Sequence, residues 1–169
     1  RDARLLAQMC GAVSCCPVPV IAGIHGGIFG GGIGLIACCD IVVAEDQARM
    51  SFSECRLGIL PAVISPFVLP KIGPAAARRF YLTGEVFGMV AARDLGLVHE
   101  VVPANELEAK VAAVTAQVLR CGPRALRETK SFIRRVWEAP ASRRVDLALS
   151  TLVRVRSSPE GQAGLGAFL

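Results

Sequence analysis

The stretch HGGIFGGGIG, residues 25–34, decides how the whole chain is interpreted. It follows residues 18–24, an apolar run without polar alternation, as expected for a parallel strand covered on both faces. A strand that ends in glycines and turns into a helix exposes backbone N–H groups that can hold an anion or an oxyanion. The alternative is tight packing of a helix on a strand, and this feature alone supports both interpretations equally.

The composition predicts a single globular domain. The chain has 169 residues, of which 53% are hydrophobic and 20% are charged, which excludes a disordered chain. The net charge of +5 is spread over single and paired basic residues without a dense stripe, so we expect no nucleic-acid partner and keep a small anionic ligand open. Because the chain begins at Arg1 and ends without a polar tail, we expect it to be a piece of something longer.

The seven cysteines are expected to be free thiols. Their number is odd, two pairs are adjacent in sequence, and no C-x-x-C pattern occurs, which disfavours both a disulfide framework and a zinc site. We therefore expect a reducing, cytoplasmic location and no metal. Cys38 and Cys55 have no histidine adjacent in sequence, so neither is expected to act as a nucleophile.

A membrane helix is the main rival interpretation of residues 17–44, where His25 and Asp40 are the only strongly polar side chains. The segment is long enough for a span of about 20 residues, and its G-x-x-x-G spacings are typical of packed membrane helices. Its glycines, its prolines and the lack of flanking basic clusters favour a buried strand and a glycine turn, without a membrane partner. We expect His25 to cap that turn and Asp40 to end a helix or accept from backbone N–H groups.

Two nucleotide-binding motifs do not fit the glycine stretch. A phosphate-binding loop needs a lysine directly after the glycines, but the first lysine is Lys71. A G-x-G-x-x-A pattern starts at Gly32, eight residues beyond the predicted strand, whereas a dinucleotide-binding motif begins where its strand ends.

The rest of the chain alternates short strands with helices and then becomes helical. Two short strands are predicted within residues 41–52, and a helix begins at Ser65-Pro66, with serine as N-cap and proline at the first position. Pro70 should kink or shorten that helix, and Gly73-Pro74 should start another that ends at Gly84. We predict a core in residues 1–103 and a helical region in residues 104–169, whose apolar faces need a partner.

Residues 25–61, HGGIFGGGIGLIACCDIVVAEDQARMSFSECRLGILP, resemble the signature of the crotonase (enoyl-CoA hydratase/isomerase) family. The resemblance continues through YLTGEVFGMVAARDLGLVHEVVP and GPRALRETK to the closing EGQAGLGAFL. It implies an α/β fold, with a crotonase-like spiral core of ββα repeats and a C-terminal helical region that builds a homotrimer or hexamer. The implied substrate is an acyl-CoA thioester, so that CoA is carried by the substrate and no separate cofactor is expected.

The resemblance also implies the groups that do the chemistry. Glu54 matches a glutamate that exchanges the proton at the α-carbon, and the Gly31 N–H matches one of two donors that hold the thioester oxygen. The other donor falls upstream of Arg1, so we expect this chain alone to be inactive, since each donor contributes about 10²–10³ in rate. The implied substrate-binding residues are Phe29, Gly30, Gly31, Gly32, Gly34 and Phe168.

Gly34 departs from the family pattern, because family hydratases carry their other glutamate at this position. Adding water across C2=C3 needs a base and an acid, and a lone glutamate is the arrangement of family isomerases. We interpret the protein as an enoyl-CoA hydratase, most similar to the bacterial methylglutaconyl-CoA hydratase type. The alternatives are a Δ3,Δ2-enoyl-CoA isomerase that uses Glu54 alone, a non-catalytic or truncated family member that binds CoA or oligomerises, and a surface Glu54 paired with Arg56.

Overall fold

The structure is a computed structural model that describes residues 2–168, with the side chains of residues 2–167. It contains two compact units. The first, here called the mixed unit, comprises the chain up to Cys16 together with Val20–Val114. The second, here called the helical unit, comprises Pro17–Pro19 and the chain from Thr115 onward. The predicted boundary between residues 103 and 104 stays a prediction.

The mixed unit alternates short strands and helices. Its elements are α1 (Asp2–Ser14), β1 (Ile21–Ile24), β2 (Gly27–Phe29), α2 (Gly31–Ala37), β3 (Ile41–Glu45), β4 (Arg49–Ser51), a 3-10 helix (Ser53–Leu57), α3 (Ser65–Thr83), β5 (Phe87–Gly88), α4 (Met89–Asp94), β6 (Glu100–Val102) and a second 3-10 helix (Ala104–Glu106). Helix α5 (Leu107–Leu119) begins in this unit, and α6 (Pro123–Glu138), α7 (Ala141–Arg156) and α8 (Pro159–Phe168) belong to the helical unit.

The first four strands alternate between two sheets, and β5 then pairs with β4 in the second of them. In the described residues, one sheet has the order β1-β3-β6 with all strands parallel, and the other has the order β2-β4-β5 with β4 and β5 antiparallel. Gly26 makes the corner between β1 and β2 with φ of 67°, and its N–H donates to Glu45 Oε1 at 2.8 Å. The pair β1 and β2 is followed by α2, and the pair β3 and β4 is followed by the first 3-10 helix and α3, which is the ββα arrangement expected from the resemblance.

Strand β2 was not predicted, because the glycine stretch was expected to lead directly from one strand into a helix. The structure places a second strand there, paired with β4 from Gly27 opposite Arg49. Three residues are too short for a hydrophobic period to reveal. The G-x-G-x-x-A pattern therefore begins three residues after a strand, but Gly32 is already inside α2, past the turn that binds a dinucleotide.

Helix α3 is interrupted at Gly73, where a new helix was predicted to start, whereas Pro70 does not kink it. Gly73 has φ of 70° and ψ of 166°, while Pro70 lies within the helical stretch before it. Glycine reaches positive φ without a Cβ clash, whereas the fixed φ of proline is itself close to the helical value. The predicted end at Gly84 is confirmed, since Gly84 is left-handed and its N–H donates to the Phe80 carbonyl oxygen.

Buried apolar side chains from strands and helices join into one core in the mixed unit. Asp40 lies at its edge, where its Oδ2 accepts from the Val20 N–H at 2.7 Å, which confirms the expected role of this carboxylate. The fully buried side chains include Ile33, Val42, Met50, Phe52, Val68 and Leu97.

Residues 17–44, for which a membrane helix was the rival interpretation, contain β1, β2, the seven-residue α2 and most of β3. Across residues 2–168, no helix combines the length and the apolar character that crossing a bilayer requires.

Candidate active site

A cavity of about 490 Å³ opens in the mixed unit beside the N-terminus of α2. Its wall is built from the start of α1, the end of β2, the start of α2, the first 3-10 helix and the loop that leads to α3. Most of the wall is apolar, with Glu54 and Asp2 as its charged members. The lining residues are Asp2, Ala3, Leu6, Phe29, Gly30, Gly31, Ser53, Glu54, Leu57, Ile59, Leu60, Pro61, Ala62, Val63 and Ile64.

Gly30 turns the chain from β2 into α2 with φ of 50° and ψ of −116°, a conformation that favours glycine. Its N–H donates to the Ser51 carbonyl oxygen at 3.1 Å, and its own carbonyl accepts from the Ile33 N–H at 3.0 Å. A Cβ on Gly30 would lie 3.2 Å from Glu54 Oε1. Glycine therefore suits this position for two reasons: it adopts the required backbone conformation, and it lets the Glu54 carboxylate approach.

Gly31 is the first residue of α2. Helix geometry leaves the N–H of a first-turn residue without an intrahelical acceptor, so this donor is free for a ligand oxygen. Leu6 of α1 covers the other side of Gly31, with Cδ2 3.3 Å from the place of a Cβ. The structure thus brings the Gly31 backbone and the Glu54 carboxylate to the wall of one cavity.

The position of Glu54 is set by the residues before and after it. Phe52, directly before the 3-10 helix, is fully buried, and its ring centroid lies 4.7 Å from that of Tyr81 and 6.0 Å from that of Phe87. The Ile59 N–H donates to the Glu54 carbonyl oxygen at 3.1 Å. An aromatic anchor and a backbone bond thereby hold Glu54 against the cavity.

The Glu54 carboxylate carries a buried oxygen that lacks a partner. Within the part of the chain that the structure describes, Oε2 of Glu54 is out of solvent and accepts no hydrogen bond. Arg56, expected in one alternative to pair with it, turns to α3 instead, and its Nε donates to the Thr83 carbonyl oxygen at 3.4 Å. A buried acceptor without a partner costs free energy in a folded protein. A ligand that donates a hydrogen bond to this oxygen would offset that cost.

Tyr81 packs against Phe52 and Ser65 follows the cavity residue Ile64, and sequence reasoning gave neither residue a role in the site. Burial raises the pKa of the Tyr81 phenol, the charge of Glu54 raises it further, and the hydrogen bond with Ser65 opposes both. Ser65 was predicted to be an N-cap, but it is the first residue of α3, and its Oγ donates to the Pro61 carbonyl oxygen at 2.6 Å. No spacing or motif in the sequence points to either residue.

The remaining predicted residues fall into three groups. Phe29 lines the cavity, whereas among the described residues the wall does not include Gly32 or Gly34. The side chain of Phe168 lies outside what the structure describes. Burial, with a smaller contribution from Cys10, raises the pKa of the Cys38 thiol to about 12, and this thiol donates to the Gly34 carbonyl oxygen at 3.1 Å. Such a thiol stays protonated and is a poor nucleophile.

A family model, related sequences and a solved structure all identify the same family. Residues 5–169 match the family model of enoyl-CoA hydratase/isomerase. The chain is 30% identical over 133 residues to a putative enoyl-CoA hydratase of Thermus thermophilus, over 79% of this chain and 53% of that protein. It is also 30% identical over 152 residues to a crotonyl-CoA hydratase of Syntrophomonas wolfei, over 89% of this chain and 58% of that protein.

A solved structure from Legionella pneumophila, a putative enoyl-CoA hydratase/isomerase (crotonase), superposes with a TM-score of 0.92 at 38% identity. The superposition covers 99% of this chain and 65% of the other. The chain therefore has the crotonase fold and belongs to the enoyl-CoA hydratase/isomerase family. It spans between half and two thirds of the length of these three relatives.

Proposed function

We propose that the protein is an enoyl-CoA hydratase, with Glu54 as its acid and base and the Gly31 N–H as one donor to the thioester oxygen. The observation that carries this proposal is the buried, unpartnered Oε2 of Glu54 in the wall that also contains Gly30 and Gly31. A carboxylate that lacks a protein partner is available to exchange protons with a bound substrate.

Hydration by these groups balances without a further reactant. The thioester oxygen accepts from the Gly31 N–H while a water oxygen bonds to C3 and Glu54 takes one proton from that water. The C2=C3 electron pair moves toward the thioester oxygen, which forms an enolate. As the carbonyl re-forms, C2 takes the proton from Glu54. Water has then added across the double bond, and Glu54 is again a carboxylate.

We further propose a branched acyl group, as in methylglutaconyl-CoA, because the glycine stretch and the segment after Glu54 resemble hydratases of that type. The cavity supports an aliphatic branch, since Leu6, Phe29, Leu57 and Ile59 line it. The measurement compares kcat/KM for crotonyl-CoA with that for its 3-methyl-branched analogue. We expect the branched substrate to be preferred.

The second candidate is a Δ3,Δ2-enoyl-CoA isomerase, and Gly34 is the observation that favours it. With no side chain at position 34, Glu54 is the carboxylate beside the start of α2. In an isomerase it would take a proton from C2 and return it to C4. Product analysis separates the two reactions, because a hydratase forms a 3-hydroxyacyl-CoA and an isomerase forms a 2-enoyl-CoA from a 3-enoyl-CoA.

The test replaces Glu54 in the full-length protein. Glu54→Gln should lower kcat for hydration by about 10²–10⁴, since it removes the proton exchanger and keeps nearly the same shape. Glu106→Gln, at an exposed glutamate of the second 3-10 helix, is the matched control and should keep full activity. Unchanged turnover in Glu54→Gln would show that the assignment is wrong. The predicted inactivity of this chain alone is measured in the same assay.

We also infer that copies of the chain associate through the helical unit as trimers or hexamers. The family resemblance suggests this assembly, and the exposed apolar side chains of α6 and α7 support it.

A further inference from the structure

Ile64 lies where a side chain at position 34 would have to be. A Cβ built on Gly34 would lie 2.7 Å from Ile64 Cβ and still closer to Ile64 Cγ2. Real carbon atoms do not approach so closely, so the two positions compete for one space. Ile64 is 2% exposed and also lines the cavity that contains Glu54. One face of its side chain therefore meets α2, and the residue forms part of the cavity wall.

Neither Ile64 nor Gly34 can move easily to relieve this clash. Ile64 directly precedes α3, and its carbonyl oxygen accepts from the Phe67 and Val68 N–H groups, each at 3.0 Å. The competing atoms are Cβ and Cγ2, which sit next to this fixed backbone, and a β-branched side chain has few rotamers. On the other side, Gly34 is buried in α2, and its carbonyl oxygen accepts from the Cys38 thiol. A side chain at position 34 would require α3 to shift its first turn.

We propose that Ile64 is a specificity-determining residue, which by filling the space beside Gly34 limits the acyl site to proton transfer through Glu54. The proposal rests on the proposed enoyl-CoA chemistry. The glycine at position 34 and the isoleucine at position 64 act as a matched pair, so a second carboxylate enters this site only when both positions change. The apolar Ile64 side chain also leaves Glu54 to orient the attacking water on this side of the cavity.

The first test measures thermal unfolding of the full-length protein. Gly34→Ala should lower the unfolding midpoint by several degrees, although alanine is the better helix former. Gly11→Ala in α1, where a Cβ would meet nothing within 4 Å, is the matched control and should leave the midpoint unchanged or raise it. In an Ile64→Gly background, which removes both Cβ and Cγ2, Gly34→Ala should cost nothing, because the competing atoms are gone. Equal effects of Gly34→Ala in both backgrounds would overturn the proposal.

The second test measures hydration kinetics, which a merely structural contact would not change in this way. Gly34→Glu alone should lower kcat/KM at least tenfold. Gly34→Glu with Ile64→Gly should recover at least tenfold of that loss, and its pH profile should gain an ionisation absent from the unaltered enzyme. Gly34→Glu with Ile64→Val should not recover, since valine keeps both competing atoms.

The two proposals fail in different ways. If the unaltered protein does not hydrate enoyl-CoA, the proposed function is wrong, together with the role that rests on it, whatever the unfolding data show. If the unaltered protein is active and Gly34→Glu alone is equally active with an unchanged midpoint, the proposed function stands and the role of Ile64 is wrong.

Discussion

In the mixed unit Met50, Phe52 and Leu97 are completely buried, whereas in the helical unit Ile133 and Trp137 are 61% and 72% exposed. Helix α6, all of whose residues are described, contains no buried residue. Burial of apolar area is the main stabilising contribution to folding, so the mixed unit completes its own core and the helical unit does not. The first unit can hold a site in place, whereas the second leaves large apolar side chains exposed.

The largest expected effect comes from emptying the core behind Glu54. Phe52→Ala in the full-length protein should lower the free energy of unfolding by about 3–5 kcal/mol, because it leaves a cavity and removes the ring contacts with Tyr81 and Phe87. The matched change in α6, Ile133→Ala, should alter it by no more than about 0.5 kcal/mol in a dilute, monomeric sample. Urea unfolding measures both. Similar decreases in the free energy of unfolding for the two variants would show that the two units do not differ in this way.

Measuring the oligomeric state tests whether the exposed apolar side chains of the helical unit form an interface between copies of the chain. If the proposed trimer or hexamer forms through this face, combining Trp137→Ala with Leu149→Ala, at side chains 72% and 58% exposed, should shift the full-length protein to monomer, because buried aromatic and aliphatic anchors dominate interface energy. Sedimentation velocity measures the oligomeric state, and circular dichroism checks that the helices remain folded. Glu138→Gln, an exposed polar change in the same helix, is the control and should leave the assembly intact. An unchanged assembly in the double variant would locate the interface elsewhere.

The mixed unit should also respond to mild acid through His99. Its Nδ1 accepts from the Val42 N–H at 3.0 Å, which requires that nitrogen to be unprotonated. Burial lowers the pKa of His99, the Lys71 charge lowers it further, and Glu100 opposes both. The contribution to stability is therefore present above the ordinary pKa of about 6.5 and is lost as pH falls below it toward the folded value.

His99→Gln should flatten this part of the pH dependence, which is measured as the unfolding midpoint from pH 7.5 to pH 5. A variant that keeps the slope of the unaltered protein would show that another group titrates there.

The smallest effect is expected from the exposed ion pair of the helical unit. Arg154 donates to both oxygens of Glu128, at 2.6 and 2.7 Å, and these bonds lower the pKa of Glu128. Exposed pairs contribute little and are screened by salt. Glu128→Gln should lower the unfolding midpoint slightly at low salt and leave it unchanged in 1 M salt. Because the pKa of Glu128 is lowered, its contribution is present above the ordinary value of about 4.3 and disappears at lower pH. A loss that persists in 1 M salt would show that this pair does more than a surface contact.

Much of the fold followed from local patterns. The apolar runs predicted β1 and β3, the closing glycine predicted the end of α3, and Asp40 was expected to accept from a backbone N–H. The glycine stretch and Glu54 were placed in one site by resemblance, and the structure has Gly30, Gly31 and Glu54 at the wall of one cavity. Strand β2 and the contacts of Ser65 and Tyr81 did not follow, because short elements carry little periodic signal.

By itself the sequence determined the family pattern and the residue types that the proposed thioester site needs, since both depend on neighbouring residues and on side-chain chemistry. Only the tertiary structure decided that Ile64 fills the space beside Gly34 and that Glu54 Oε2 is buried without a partner. These contacts join residues tens of positions apart. Close packing allows one side chain in each such space, and which one occupies it depends on how the helices pack, which no local pattern records.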